Sequence, residues 1–187
     1  MPAIVHSEWV PSNVENGAPG PPHPGSRPWL SQATALLGFL AVSWMVSALG
    51  SLPIRLNADG WYAAAEKAPW TPPGWMFAAV WLPLYAAMAV AAWLVWRQFP
   101  RSAALRLYGI QLALNLAWPA MFFGMYPMLG TAALWLAFAI LAALAAAVTL
   151  TVLRFGPISR AAGLLMLPYV SWLVFSGSLN LYAALHN

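Results

Sequence analysis

Five apolar runs, each long enough to cross a bilayer and each without charged residues in its interior, constrain this chain more than any other feature. They cover approximately residues 30–52, 75–96, 103–126, 128–153 and 158–185. A hydrocarbon core of about 30 Å needs about 20 helical residues, whereas a barrel strand needs only about ten alternating ones. Because lipid offers no partners to backbone N–H and C=O groups, these runs must be helices. The predicted fold class is therefore all-α, an integral membrane bundle of five transmembrane helices.

Composition supports this environment and excludes several kinds of site. The chain is 62% hydrophobic and 6% charged, whereas a soluble protein carries about 25% charged residues. It has no Cys, and its three His, at positions 6, 23 and 186, lie near the ends, so we predict no metal site. The basic residues occur singly between apolar runs, so we predict membrane lipid as a partner and no nucleic acid.

Two regions follow from the pattern of hydropathy. Residues 1–28 are rich in Pro, Gly, Asn and Ser, which predicts a disordered N-terminal tail. Residues 29–187 form the predicted five-helix transmembrane domain. Within it, the connection from Pro53 to Pro73 is long and rich in aromatic residues, which predicts a structured loop between the first two spans. Thr71 is the predicted N-cap of the second span, with Pro72 at the first helical position.

The distribution of basic residues predicts the topology. The N-terminal side of the bundle carries Arg27, Arg97, Arg101, Arg106, Arg154 and Arg160. The opposite side carries Arg55 and Lys67, offset by Asp59 and Glu66. A multi-pass protein with its N-terminus in the cytoplasm is predicted if the membrane is an inner membrane. The preference for Arg over Lys and the abundance of Ala favour a bacterial cell envelope.

Neutral polar and aromatic residues form stripes on three of the spans. At 100° per residue, span two aligns Trp81, Tyr85 and Met88; span three aligns Gln111, Asn115 and Trp118; and span five aligns Tyr169, Trp172, Ser176 and Asn180. These faces avoid lipid best by facing one another. One interpretation is hydrogen bonding that joins the helices, worth about 0.6 kcal/mol for each bond. The other is an amphipathic pocket for a flat, mostly apolar ligand.

The motifs, in their order, resemble those of the translocator protein family, also called tryptophan-rich sensory proteins or the peripheral benzodiazepine receptor family. The resemblance extends from about Leu30 to Asn187. It rests on Trp61-Tyr62, Lys67, Trp70, Pro72-Pro73, Trp81, Leu84-Tyr85, Gln111-Leu112-x-Leu114-Asn115-x-x-Trp118, Phe122-Phe123-Gly124, Pro168-Tyr169-x-x-Trp172, Leu179-Asn180 and Asn187.

This resemblance implies a homodimer that binds porphyrins such as protoporphyrin IX, sterols and synthetic benzodiazepine-type ligands in a cavity capped by the first loop. No cofactor is required. The candidate ligand-binding residues are Trp61, Tyr62, Lys67, Trp70, Trp81, Tyr85, Gln111, Asn115, Trp118, Phe122, Tyr169, Trp172, Ser176 and Asn180. It also implies that Trp81 and Trp172 are the candidate catalytic residues for light-dependent porphyrin degradation.

The chain departs from the family pattern at two places. Ala68 follows Lys67 where the family usually has proline, which predicts a different loop path. The family's proposed cholesterol motif needs a basic residue after a tyrosine, whereas Tyr182 is followed by His186, so sterol binding through that motif is not expected.

Three functions remain open from the sequence. The first is a membrane receptor or sensor for tetrapyrroles, with or without transport. The second is oxidative breakdown of porphyrins that depends on tryptophan. The third is a structural or partner-binding bundle without a ligand.

Overall fold

A computed structural model describes residues 28–57 and 59–187. The predicted disordered tail lies outside the described residues, apart from Pro28. The helices are α1 (Trp29–Asn57), α2 (Trp61–Ala64), α3 (Gly74–Gln98), α4 (Leu105–Pro119), a π-helical turn (Ala120–Gly124), α5 (Tyr126–Leu129), α6 (Thr131–Phe155), α7 (Arg160–Leu165) and α8 (Leu167–His186). The described residues contain no strand, and the prediction of an all-α fold is confirmed.

Four of the helical segments are long and apolar enough to cross a membrane, and they are Trp29–Asn57, Gly74–Gln98, Thr131–Phe155 and Arg160–His186. The remaining predicted span, 103–126, is built differently. Its 15 α-helical residues continue directly into the five residues of the π-helical turn. At about 1.5 Å per residue, this continuous segment also approaches the length of about 30 Å that a bilayer core requires.

Prolines account for the irregular parts of these segments. Pro119 is the last residue of α4 and has no N–H to donate, and the chain changes to π-helical geometry directly after it. In the fifth segment, α7 ends at Leu165, and Pro168 lies in the first turn of α8, where its missing N–H costs nothing.

The predicted N-cap of the second span, Thr71 with Pro72 at the first helical position, is wrong, whereas the predicted span of about 75–96 begins within one residue of the helix. The helix α3 begins at Gly74 with Pro73 in the N-cap position, and the Thr71 N–H donates to the Ala68 carbonyl at 2.9 Å in a turn. The physical reason is the Pro72-Pro73 pair: a residue that precedes proline is disfavoured in the α conformation, so the helix starts only after Pro73.

The long helices form a closed ring. Helix α1 packs against α3 and α4, α4 packs against α6, and α6 packs against α8. The short helix α7, which is continuous with α8, closes the ring by packing against α3. The neutral stripes of α3, α4 and α8 thereby lie inside the bundle, as the sequence predicted.

Two glycines bring the backbone of α7 close to the end of α6: Gly163 lies in α7, and Gly156 is the C-cap of α6. A Cβ atom added to Gly163 would lie 3.0 Å from the Gly156 Cα and 3.3 Å from the Gly156 nitrogen. Both neighbours are backbone atoms, which cannot move aside as a side chain can. By contrast, a Cβ added to Gly109 on α4 would meet nothing within 4 Å.

These contacts predict opposite effects for two matched substitutions. Gly163→Ala should lower the free energy of unfolding by about 1–3 kcal/mol, because it overpacks the turn. Gly109→Ala should leave stability unchanged or raise it by up to about 1 kcal/mol, because alanine is the better helix former. Unfolding of both variants in the same detergent measures the difference. Equal stability of the two proteins would contradict the close approach of Gly163 to Gly156.

Candidate functional site

A cavity of about 450 Å³, called here the first cavity, lies beneath the connection between α1 and α3. Its walls come from that connection, from α1, α3 and α4, from the π-helical turn and from α8. The predicted site residues that line it are Tyr62, Lys67, Trp81, Trp118, Phe122, Ser176 and Asn180. The sequence stripes of three helices therefore meet at one enclosed space.

Trp118 forms one fixed wall of the first cavity. Its ring stacks on Phe122, with centroids 5.5 Å apart and an interplanar angle of 29°. Its indole N–H donates to the Asn180 Oδ1 at 3.0 Å, and the Asn180 amide donates in turn to the Leu134 carbonyl at 2.9 Å. These bonds tie α4, α8 and α6 together, so the flat face of Trp118 is held in a defined position.

Trp81 supplies a second aromatic surface from α3. It packs edge-on against Trp172, with centroids 6.5 Å apart and ring planes at 88°, and edge-on against Tyr169 at 5.9 Å. Trp81 lines the cavity, whereas Trp172 is not among the residues that line it. The two candidate catalytic tryptophans thus differ in their access to a ligand.

Ser176 is a polar group that still lacks a partner. The residue is 4% exposed, its hydroxyl oxygen is buried, and no described residue forms a hydrogen bond with it. Because an unpaired buried hydroxyl costs about 1–3 kcal/mol, such a group is usually satisfied by a ligand or by water. Ser176 lines the first cavity, so a bound molecule can reach it.

The connection between α1 and α3 is anchored to the bundle by aromatic residues. The Trp61 indole N–H donates to the Phe123 carbonyl at 3.0 Å, and its ring stacks on Tyr126 with centroids 3.8 Å apart. Tyr62 packs edge-on against Phe123 at 5.0 Å, and burial raises the pKa of its phenol. Trp61 therefore fixes the connection from outside the cavity, while Tyr62 forms part of the cavity lining.

A second anchor holds the connection to the end of α8. The Glu66 N–H donates to the Asn187 Oδ1 at 2.9 Å, and the Asn187 side-chain amide donates to the Glu66 carbonyl at 3.1 Å. The Tyr182 hydroxyl donates to the Glu66 carboxylate at 2.8 Å. Trp70, which is exposed and does not line the cavity, donates from its indole N–H to the Ser178 hydroxyl at 3.2 Å.

The two basic residues on the loop side of the bundle, Lys67 and Arg55, lie at different cavities. Lys67 lines the first cavity, where its ammonium group donates to the Ala63 carbonyl at 3.2 Å and lies 4.9 Å from the centre of the Tyr62 ring. Arg55 does not line that cavity. It lines a second cavity of about 480 Å³ between α1 and α3, described below.

The remaining predicted site residues make contacts between helices. The Gln111 amide donates to the Thr151 hydroxyl on α6, and the Tyr169 hydroxyl donates to the Asn115 Oδ1 at 2.7 Å. Neither Gln111 nor Tyr169 lines either cavity, whereas Asn115 and Tyr85 line the second one. Gln111 and Tyr169 therefore form hydrogen bonds between helices, which was the first of the two interpretations of the polar stripes.

Several lining residues were not predicted from the sequence. They are Ile54, Ala63, Glu66, Ala68, Thr71, Pro72, Gly74, Phe77, Phe123, Leu179 and Ala183. Helical spacing could have predicted two of them, because residues three or four apart share a helix face. Phe77 precedes Trp81 by four residues, and Leu179 follows Ser176 by three. No comparable signal marks Ile54, because its helix carries no aromatic stripe. Ala68, which stands where the resemblance leads one to expect proline, is buried against the cavity.

The closed ring of apolar helices and the aromatic cavity at its loop end define a multi-pass membrane protein with a cavity inside its helix bundle. Residues 35–185 match the model of the TspO/MBR family. The chain is 37% identical over 158 residues to the translocator protein of Ovis aries, covering 82% of this chain and 88% of that protein. It is 34% identical over 147 residues to the tryptophan-rich sensory protein of Cereibacter sphaeroides, covering 79% of this chain and 87% of that protein. The chain belongs to the TspO/MBR family, which confirms the resemblance seen in the sequence.

The anchor at Glu66 predicts a local change in dynamics. Asn187→Ala removes both side-chain hydrogen bonds to the Glu66 backbone, so the Glu66 amide should exchange its hydrogen faster, because exposed backbone amides with few bonds open most easily. Leu185→Ala removes an exposed apolar side chain from the same end of α8 and serves as the control. Hydrogen exchange followed by mass spectrometry over residues 59–73 measures the effect. Equal exchange in both variants would show that Asn187 does not hold the connection.

Proposed function

We propose that this protein is a membrane receptor or sensor that binds a flat, mostly apolar ligand of the tetrapyrrole type in the first cavity. Its membership in the TspO/MBR family supports the general role of receptor or sensor. The observation that carries the choice of ligand class is the pair of tryptophans, Trp81 and Trp118, that line one cavity of about 450 Å³. Pockets for small organic ligands measure about 300–1,000 Å³.

The chemistry of the lining favours an extended π system with acidic groups at one edge. Trp81, Trp118 and Phe122 offer aromatic faces, and aromatic pairs contribute about 0.5–1.5 kcal/mol beyond the burial of their area. Lys67 lies on the loop side, where its ammonium group can pair with a propionate. Ser176 adds one neutral hydroxyl from α8.

The same lining favours a porphyrin without metal. None of the described residues that line the first cavity is His or Cys, and Met is also missing from the lining. Those side chains are the usual axial ligands of haem iron. A ligand in this cavity is therefore recognised by shape, stacking and the pairing of its acidic groups. Protoporphyrin IX has all of these properties.

Replacement of Trp81 tests the site. Trp81→Leu should weaken binding of protoporphyrin IX by up to about tenfold, because it removes one stacking face from the cavity. Trp135→Leu, at an exposed position on α6, should leave the affinity unchanged. Binding is followed by the emission of the porphyrin itself, so that loss of a protein fluorophore does not alter the signal. Wild-type affinity in Trp81→Leu would contradict the proposed site.

Removal of the Lys67 charge tests the orientation of the ligand. Lys67→Gln should weaken binding of protoporphyrin IX by up to about fivefold, because an exposed ion pair contributes about 0.2–1 kcal/mol. Its affinity for the dimethyl ester of protoporphyrin IX, which lacks the negative charges, should not change. Arg101→Gln, between α3 and α4, is the matched control for loss of a positive charge. An equal loss for the acid and the ester would remove the proposed role of Lys67.

A further inference from the structure

The second cavity is a cleft between the C-terminal half of α1 and the N-terminal half of α3, with α4 as its floor. Residues at its opening, among them Trp44, Ala78 and Leu82, are exposed on the outside of the helix ring. In a membrane this outer surface meets lipid, since both helices are long and apolar enough to cross the bilayer. The cleft is thus accessible from the bilayer.

One charged residue, Arg55, stands among the described residues that line this cleft. It lies in the last turn of α1, whose 29 residues extend for about 43 Å and so exceed the hydrocarbon core of about 30 Å. The guanidinium group is therefore placed at the interfacial end of the cleft. No carboxylate of the described residues lies within ion-pair distance of it. An exposed cation next to an apolar cleft is complementary to an acidic head group attached to an apolar chain.

We propose that the second cavity binds a single-chain amphiphile with an acidic head group, of the fatty acid type, drawn from the membrane. The carboxylate pairs with Arg55, whose planar guanidinium matches it with two parallel hydrogen bonds. The acyl chain lies along the apolar side chains of Trp44, Phe77 and Leu82. A cavity of about 480 Å³ is of the size that holds one small ligand, which favours one acyl chain over the two chains of a phospholipid.

This site is distinct from the first cavity in its charge and in its opening. Arg55 lines the cleft, and Lys67 lines the first cavity. The two spaces share a wall that includes Trp81 and Trp118, so each tryptophan presents surface to both. The features that distinguish the amphiphile site are Arg55 and the opening at Trp44, Ala78 and Leu82, and none of these residues lines the first cavity.

Energy transfer from tryptophan to parinaric acid, a fluorescent fatty acid, tests the proposal with the full chain in phosphatidylcholine nanodiscs. The acid should bind about tenfold more tightly than its uncharged methyl ester, because a hydrogen-bonded charge pair forms with Arg55. Arg55→Gln should remove this preference. Arg101→Gln and Lys67→Gln should keep it. Ala78→Trp, which fills the opening of the cleft, should weaken binding of both the acid and the ester.

Several results would overturn the proposal. One is equal binding of the acid and the ester by the wild-type protein. Another is a preference that survives Arg55→Gln but is lost in Lys67→Gln, which would place the fatty acid in the first cavity. A third is displacement of parinaric acid by an equal amount of phosphatidylglycerol, which would assign the cleft to a two-chain lipid. Circular dichroism of each variant confirms that its helices are intact, so that a loss of binding reports on the site.

Discussion

The hydrogen bonds that α4 makes inside the bundle determine where both cavities can form. Hydrocarbon offers no partner to an amide or a hydroxyl, so these groups must pair with other helices. Asn115 accepts from Tyr169 on α8, and one turn later Trp118 donates to Asn180 on the same helix. These two bonds fix the spacing of α4 and α8. Trp118 then lines both cavities, and Asn115 lines the second cavity.

The connection between α1 and α3 completes the first cavity because it is held at both of its sides. Trp61 binds it to the π-helical turn, and Glu66 binds it to Asn187 at the end of α8. Tyr62 and Lys67, each of which directly follows one of these anchors in the sequence, line the cavity. An aromatic face and a positive charge are thus placed over the tryptophans of the bundle without any charged residue entering the membrane interior, where a charge is costly.

Much of this arrangement could be predicted from the sequence, since helical periodicity assigns side chains to faces. The stripes of Trp81, Trp118, Ser176 and Asn180 lead directly to the first cavity. Periodicity does not show which helix a given face contacts. Gln111 and Trp172 were therefore predicted as ligand-binding residues, although Gln111 bonds to Thr151 on α6 and Trp172 packs against Trp81 on α3. Nor does periodicity separate Arg55 from Lys67, because Arg55 lies in the last turn of α1, whereas the position of Lys67 depends on how the connection folds after that helix. Thr71 is not the N-cap of α3, because the effect of Pro73 on the residue before it outweighs the capping preference of Thr71.

A structure of the protein with protoporphyrin IX would show whether a flat π system occupies the first cavity, against Trp81 and Trp118. We expect porphyrin density beneath Tyr62, with the propionates on the side of Lys67 and the ring against Trp118. Porphyrin density in the cleft between α1 and α3, or on the lipid-facing surface with the first cavity vacant, would contradict this expectation.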